Sequence, residues 1–433
     1  MRNAKKLAAL LLLVLMLPLT SALAETPLEM TFYYPVQVGG AVAQLVEQIA
    51  NDFNAENPDI HITPVYTGNY DDTVVKLQTA INANTPPDFF LSLATQRFSM
   101  TAMDAVIPLD DLIAKDGGTE YINDFLPGFM EDSFVDGKIV SIPFQRSTMV
   151  MYYNKEAFKE AGLDPDRPPQ NWTELAEYAQ KLIKKDNAGN VERWGVGIAL
   201  NSGSAQWAFT GFCLQNSLNG ENLMTDDGKR VLFDTPENVE ALQLWVDLQQ
   251  KYEVMPKGIV QWTDLPGQFI EGKIAMIYHT TGNLTNIANN ATFEFGTCFL
   301  PAGRQWGAPT GGGNFYISKG ISEERQQAAW KFIRFATTPE RAAQWNVDTG
   351  YVATRKSAFE TEIIKSYYER LPQAKVAMEQ LEYAKPELTT FEASKIWRIL
   401  NDNIQAAIML EATPVQALTN AQAEATEALE RYQ

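Results

Sequence analysis

Three hydrogen-bonding residues stand side by side where a polar segment meets an apolar run. Arg146, Ser147 and Thr148 directly precede MVMYY at 149–153. A guanidinium and two hydroxyls are suited to hold an anion or a hydroxyl-rich ligand, and the pattern favours the rim of a binding site. A plain transition from loop to strand would look similar.

The chain carries little catalytic equipment. Its two cysteines are Cys213 and Cys298, and its two histidines are His61 and His279. It contains no CxxC or HExxH zinc motif, no GxSxG nucleophile motif and no Walker A loop. We therefore expect no metal, no cofactor and no enzymatic activity. A disulfide between the cysteines and two buried free thiols are both compatible with the sequence.

The first residues have the organisation of a cleaved signal peptide. A basic start, MRNAKK, precedes an apolar segment and the small residues SALA, and cleavage is expected after Ala24. An uncleaved anchor is the alternative, but the apolar run is shorter than the roughly 20 residues that span a bilayer. The expected location is the periplasm.

Size and charge limit the class of protein. With 433 residues the chain is long enough for two domains. Its formal net charge is −18, and removal of Arg2, Lys5 and Lys6 with the signal peptide brings it to about −21. Nucleic acid is therefore not expected as a partner, whereas a small anion remains possible if a few cations line a cleft.

The elements that would position these side chains alternate between strand and helix. The runs MTFYY, IHITPVY and PPDFFLSL predict three strands, separated by helices that begin after Gly40 and at Asp71. Alternating strands and helices predict an α/β fold with parallel strands, and ligands bind at the carboxyl ends of such strands. Tyr70 and the residues after Leu93 are therefore candidate binding residues.

The segment after Thr148 has a structural explanation of its own. TMVMYY predicts a strand, Asn154 an N-cap for KEAFKEA, and Gly162 a left-handed helix end with Leu163 packed back on it. Further along, Ser322 predicts the start of a helix over EERQQAAWKFIRFA. The stretches from GKIAMIYHTTGNLTNI to GGGNFYIS are predicted to be strand-like.

Several segments in order along the chain resemble the extracellular solute-binding proteins of ABC importers, family 1. They are FNAENPDI, YTGNYDD, YYNKEAFKEAGLDPDRPPQNWTELAEYAQKL, GGGNFYIS and TGYVATRKSA. The resemblance is strongest to the glycerol-3-phosphate-binding branch. It implies a two-lobed receptor, monomeric and hinged around a central cleft, that passes its solute to membrane permease subunits. The expected division is signal peptide 1–24, first lobe 25–145, second lobe 146–282, return to the first lobe 283–337, and a helical segment mainly on the second lobe 338–433.

The same resemblance implies a set of ligand-binding residues: Tyr70, Ser147, Thr280, Gly312, Tyr351 and Arg398. Arg398 would hold a phosphate. The glutamate of that branch falls on Ala94 here, and the Trp-His pair near the first strand is replaced by YYPV. Gln96 could take over the glutamate's role, or the ligand could be a phosphate ester with a larger head group.

Each candidate also has a purely structural interpretation. Arg398 could pair with Asp402 one helical turn away. Trp207 could stack on a sugar or a choline-type cation, or belong to the core. Arg146 could bind phosphate or be solvated, and both tyrosines could serve packing alone.

The sequence thus favours a receptor for glycerol-3-phosphate or a glycerophosphodiester. An oligosaccharide receptor of the same family is the alternative, because the chain is rich in aromatic residues. An extracellular phosphodiesterase is a remote alternative.

Overall fold

The computed structural model describes residues 26–201 and 203–433, so the predicted signal peptide lies outside the described residues. The strands are β1 Leu28–Tyr34, β2 Ile60–Tyr66, β3 Phe89–Leu93, β4 Phe134–Val135, β5 Lys138–Ile139, β6 Ile142–Asn154, β7 Lys184–Lys185, β8 Val191–Gly197, β9 Ile274–Thr280, β10 Phe295–Cys298, β11 Ala308–Ile317 and β12 Ala384–Lys385. The α-helices are α1 Val42–Glu56, α2 Tyr70–Asn82, α3 Arg97–Ala102, α4 Asp110–Lys115, α5 Gly118–Asn123, α6 Pro127–Met130, α7 Lys155–Glu160, α8 Trp172–Leu182, α9 Ala205–Asn216, α10 Pro236–Gln250, α11 Leu265–Ile270, α12 Leu284–Asn290, α13 Glu323–Ala336, α14 Pro339–Thr349, α15 Glu362–Arg370, α16 Lys375–Gln380, α17 Ala393–Ile408 and α18 Pro414–Leu429. Short 3-10 helices cover Ala94–Gln96, Glu131–Ser133, Thr281–Asn283, Lys356–Glu360, Pro372–Ala374, Leu381–Tyr383 and Glu430–Tyr432.

The helix starts follow the capping residues in the sequence. The side chain of Asn154 accepts a hydrogen bond from the Ala157 backbone N–H and starts α7, and Gly162 lies in the left-handed region just after its end. Ser322 caps α13 in the same way. These three predictions are confirmed. No described helix has the length and apolar character needed to cross a bilayer.

One mixed sheet runs through the molecule in the order β2-β1-β3-β11-β6-β9-β8-β7. β1 is parallel to both β2 and β3, as the alternating pattern predicts. β11 pairs antiparallel with β3 and with β6, so the parallel prediction does not hold for the middle of the sheet. β6 is 13 residues long and buried throughout. The predicted strand at GKIAMIYHTTGNLTNI ends at Thr280, after which the chain is helical.

The two largest apolar cores of the described residues lie along this sheet, and β6 and β11 pass from one to the other. The first core holds Phe144 and Phe315, and the second holds Met149 and Ala308. We call the parts around these cores the first and second lobes. Residues 145–148 and 310–313, which are polar residues and glycines, lie between them and pair with each other.

The cores also locate the crossings between lobes. Leu284 and Ile287, which follow the predicted crossing at residue 283, pack in the second core, and β11 is the next element that reaches the first core. The division into lobes stays a prediction. After Tyr351 most buried apolar residues, from Ala353 to Leu429, lie in the second core. Cys213 and Cys298 are both free thiols.

Candidate functional site

A cavity of about 230 Å³ lies between the lobes, where β2, β3 and β9 end and β6 crosses β11. One water needs only about 10–15 Å³ on this measure, so the cavity has room for a small solute. Its lining is mainly hydroxyl, amide and aromatic groups: Gln37, Val38, Asn69, Tyr70, Asp71, Leu93, Ser147, Asn201, Gly203, Ser204, Gln206, Trp207, Gln261, Trp262, Thr263, Thr280, Gly312, Tyr351, Glu387 and Trp397.

Tyr70 reaches the cavity because it is the first residue of α2. Asn69 and Asp72 form a capping box that fixes this helix start just after β2. The Tyr70 hydroxyl donates a hydrogen bond to Gln145 Oε1 at 3.0 Å. Burial, followed by the neighbouring Tyr351, raises the pKa of Tyr70 well above its ordinary value, so the phenol stays protonated.

Ser147 and Gly312 come from the two crossing strands. Ser147 pairs with Gly311, and its hydroxyl makes no hydrogen bond to another described residue. Gly312 has φ of +94°, and a Cβ there would overlap the carbonyl oxygen of Gln145. A Cβ on Gly313 would lie 2.9 Å from the Tyr70 oxygen. The glycine run therefore lets β11 pass close beneath the site.

Thr280 and Tyr351 complete the group of predicted residues at the cavity. Thr280 ends β9, and its hydroxyl accepts a hydrogen bond from the Gly282 backbone N–H at 3.2 Å. Tyr351 stacks on Trp345 with ring centres 6.0 Å apart. Burial raises the pKa of Tyr351 above its ordinary value. The Tyr351 hydroxyl has no hydrogen-bond partner among the described residues, so it is available to a solute.

Three tryptophans line the cavity: Trp207, Trp262 and Trp397. The indole of Trp207 donates to the Thr310 carbonyl at 2.9 Å and lies 5.5 Å from the Trp262 ring. Trp262 in turn stacks on His279 at 3.7 Å. Burial lowers the pKa of His279 to about 3, so the imidazole is neutral and supports the tryptophan without adding charge.

Two acidic residues face the cavity, and its lining, as far as the structure describes it, contains no lysine, arginine or histidine. Asp71, at the second position of α2, has an exposed side chain, although desolvation of its carboxyl group by the surrounding protein, followed by the charge of Asp72, raises its pKa. Glu387 is 5% exposed, and burial raises its pKa to about 8. The local charge is therefore neutral to negative.

Arg398 lies outside the cavity. It is exposed on α17 and lines a surface groove with Lys395, Asp402 and Glu427. Its neighbour Trp397 faces the cavity, and successive residues of a helix point about 100° apart, so the two side chains cannot share a face. Arg398, the residue predicted to bind phosphate, is thus not brought together with the candidate residues at the cavity.

Gln96, Ala94 and Arg146 also lie outside the lining. Gln96 donates to the Ser394 hydroxyl at 3.3 Å in a separate groove beside α3. Ala94 is buried beneath Tyr316, whose hydroxyl reaches its carbonyl at 3.3 Å. Arg146 is fully buried and pairs with Asp132 at 2.6 Å, so it is a structural residue of the crossing.

Sequence reasoning did not single out Asp71, Trp262, Trp397 or Glu387. For Trp397 a signal exists, because buried Ala393, Ile396 and Leu400 mark the inward face of α17 and place residue 397 on it. Glu387 lies in the irregular segment KPELTT, where the sequence has no periodic pattern that would show which side chains face inward. Trp262 lies in a segment of the same kind.

A family model described as bacterial extracellular solute-binding protein matches residues 48–373. The chain belongs to this family. Its members include solute-binding components of ABC importers, which bind small solutes and deliver them to a permease. The family match makes the cavity between the lobes the candidate solute-binding site.

The similar proteins differ in the solutes that their names give. The sn-glycerol-3-phosphate-binding periplasmic protein UgpB of Escherichia coli K12 is 30% identical over 411 residues, covering 91% of each chain. UgpB from Mycobacterium tuberculosis in complex with glycerophosphocholine matches with a TM-score of 0.82 and 26% identity, over 94% of this chain and 99% of that one. A maltodextrin-binding domain, MalE from Bdellovibrio bacteriovorus bound to maltotriose, has a TM-score of 0.79 at 21% identity, over 93% and 100%. The predicted two-lobed α/β fold is confirmed.

Proposed function

We propose that this protein captures a glycerophosphodiester with a cationic head group, such as glycerophosphocholine, for import. The observation that carries this proposal is the cavity's combination of three tryptophans with Asp71, in a lining without basic residues. Aromatic faces and a carboxylate are what a quaternary ammonium group prefers. The identity of 30% to one glycerol-3-phosphate-binding protein and the similarity to a glycerophosphocholine complex support it.

Charge argues against a phosphate monoester as the preferred solute. Near neutral pH a monoester carries about −1.5 to −2 charges, and here it would face Asp71 without a cation in contact. A glycerophosphodiester with a cationic head carries no net charge. Its single phosphate charge can be satisfied by neutral donors, for which we propose Ser147, Thr280 and Tyr351, together with the Gly312 N–H.

The tryptophans and Tyr70 take the remaining parts of the solute in this proposal. Trp207 and Trp262 lie against each other at 5.5 Å and form one side on which the cationic head can rest. Tyr70 comes from the first lobe and Trp207 from the second, so a solute touching both favours the closed state.

An oligosaccharide is the second candidate, and the amide side chains of the lining favour it. Gln37, Asn69, Gln206 and Gln261 can both donate hydrogen bonds to sugar hydroxyls and accept them, while indole faces stack on sugar rings.

We expect the protein to act in the periplasm after cleavage of the signal peptide, as a monomer that delivers its solute to permease subunits. It is expected to bind no nucleic acid, cofactor or metal. No turnover of a phosphodiester is expected.

Calorimetric titration of ligand-stripped mature protein tests this proposal. The solutes are glycerophosphocholine, glycerol-3-phosphate and maltose. We expect glycerophosphocholine to bind at least tenfold more tightly than glycerol-3-phosphate, because the monoester adds a charge repelled by Asp71. Saturable binding of maltose alone would instead assign the protein to the sugar receptors.

Two aspartate variants separate the head-group contact from a general effect of charge. Asp71→Asn should weaken glycerophosphocholine severalfold and leave maltose unchanged. Asp111→Asn is the matched control, since Asp111 is also an exposed second residue of a helix but lies outside the cavity. Equal effects of both variants would contradict a contact at Asp71.

A further inference from the structure

Glu387 is a buried acid without a partner for its carboxyl group. It lies between β12 and α17, is 5% exposed and lines the cavity. Its backbone carbonyl accepts a hydrogen bond from the Thr389 hydroxyl at 2.8 Å. Its carboxyl oxygens make no hydrogen bond or ion pair with any described residue. A buried carboxyl that faces a cavity in this way is costly unless something in the cavity satisfies it.

The charged and titratable groups around Glu387 are Asp132, Arg146 and Tyr70. Burial is the main cause that raises its pKa to about 8; Asp132 adds to the rise and Arg146 opposes it. Glu387 and Tyr70 line the same cavity, and the charge of Glu387 also raises the pKa of Tyr70. Around neutral pH the group is a carboxylic acid that can donate one hydrogen bond and accept another.

At the end of β3, Ala94 is buried outside the cavity lining, and its neighbour Leu93 contacts the cavity instead. This part of the lining therefore contains no acidic group. We propose that Glu387 is a specificity-determining residue that holds a hydroxyl group of the solute beside Tyr70. Glu387 thereby places an acid in the cavity from the segment that joins β12 to α17. This inference rests on the proposed function only for the choice of solute.

A hydroxyl is the group that fits this position best. It can accept from the acid and donate to it at once, so both atoms of the buried carboxyl are satisfied. A bare alkyl chain would leave the acid unpaired, at the cost that an unsatisfied buried group carries. Tyr70, whose hydroxyl already donates to Gln145, offers the same solute group an acceptor oxygen.

The test titrates glycerophosphocholine and propylphosphocholine, the same diester without its two glycerol hydroxyls, into three variants. Glu387→Ala should weaken glycerophosphocholine roughly tenfold and leave the weaker binding of propylphosphocholine unchanged. Glu387→Gln keeps one donor and one acceptor and should stay within about threefold of wild type. Glu382→Ala, an exposed glutamate five residues away, is the matched control and should change neither affinity.

The outcomes separate this inference from the proposed function. Equal losses for both diesters in Glu387→Ala, or no loss for either, would overturn the hydroxyl contact while the solute class stands. If wild type binds neither diester, the proposed solute is excluded and maltose becomes the probe. A tenfold loss of maltose in Glu387→Ala would then support the hydroxyl contact, and an unchanged affinity would overturn it.

Discussion

At the scale of single residues, Asp132 lies between two buried arginines. Its carboxylate pairs with Arg97 at 2.8 Å and with Arg146 at 2.6 Å, and the Thr310 hydroxyl also reaches it. Such a buried cluster is stable only when its members satisfy one another. Arg146 is therefore committed to the crossing between the lobes. Its positive charge partly opposes the rise in the pKa values of Tyr70 and Glu387 that burial causes.

The raised pKa of Glu387 predicts how stability changes with pH. The unfolded chain loses this proton near pH 4.5 and the native chain near pH 8. Between these values the native state binds more protons, so the free energy of unfolding falls as pH rises from 4.5 to 8. Glu387→Gln removes this loss, and its melting temperature should exceed that of wild type at pH 8 but not at pH 4.5.

Thermal unfolding of the ligand-free proteins, followed by circular dichroism at the two pH values, checks this. Glu382→Gln is the control and should follow wild type at both. A Glu387→Gln variant that shows the same difference from wild type at pH 4.5 and pH 8 would contradict a raised pKa at this residue.

At the scale of elements, β6 and β11 form the polar floor of the site. Thr148, Ser147, Arg146 and Gln145 pair in turn with 310–313, between the apolar ends that belong to the two cores. The two lobes therefore share one sheet, and two residues of the crossing, Ser147 and Gly312, line the cavity. A change in the angle between the lobes would therefore move residues of the cavity lining.

Gly312→Ala tests how tightly these strands meet. The variant introduces a Cβ that overlaps the Gln145 carbonyl in a left-handed backbone conformation, so it should lower the free energy of unfolding by about 2 kcal/mol or more. Gly320→Ala is the matched control, because φ there is +88° but the position is open. It should cost only about 1 kcal/mol.

Urea unfolding measures both variants. Equal free energies of unfolding for Gly312→Ala and Gly320→Ala would mean that β11 does not lie as close to β6 as described. A selective loss in Gly312→Ala would support the close crossing.

At the scale of the whole molecule, local patterns predicted the elements better than their assembly. The starts of α7 and α13 depend on the capping residues Asn154 and Ser322, which act within a few residues. The antiparallel insertion of β11 between β3 and β6 depends on contacts more than 150 residues apart, which no local pattern reports.

The cavity was predictable to the extent that its residues stand at strand ends or crossings. Tyr70, Ser147, Thr280 and Gly312 lie at such positions, and the structure brings them together. Arg398 shares α17 with the cavity residue Trp397 but lies on another face of that helix. A resemblance in residue types does not show which face of a helix a residue occupies. Whether the gathered residues contact a solute stays a prediction.

A crystal structure of the mature protein with glycerophosphocholine would show directly whether the cavity binds this solute through the proposed contacts. We expect the trimethylammonium group within about 6 Å of a tryptophan ring centre, the phosphate at Ser147, Thr280 and Tyr351, and a glycerol hydroxyl at Glu387. Arg398 should lie away from the ligand. A phosphate bound by Arg398, or a ligand with its cationic head away from all three tryptophans, would contradict the proposed binding mode.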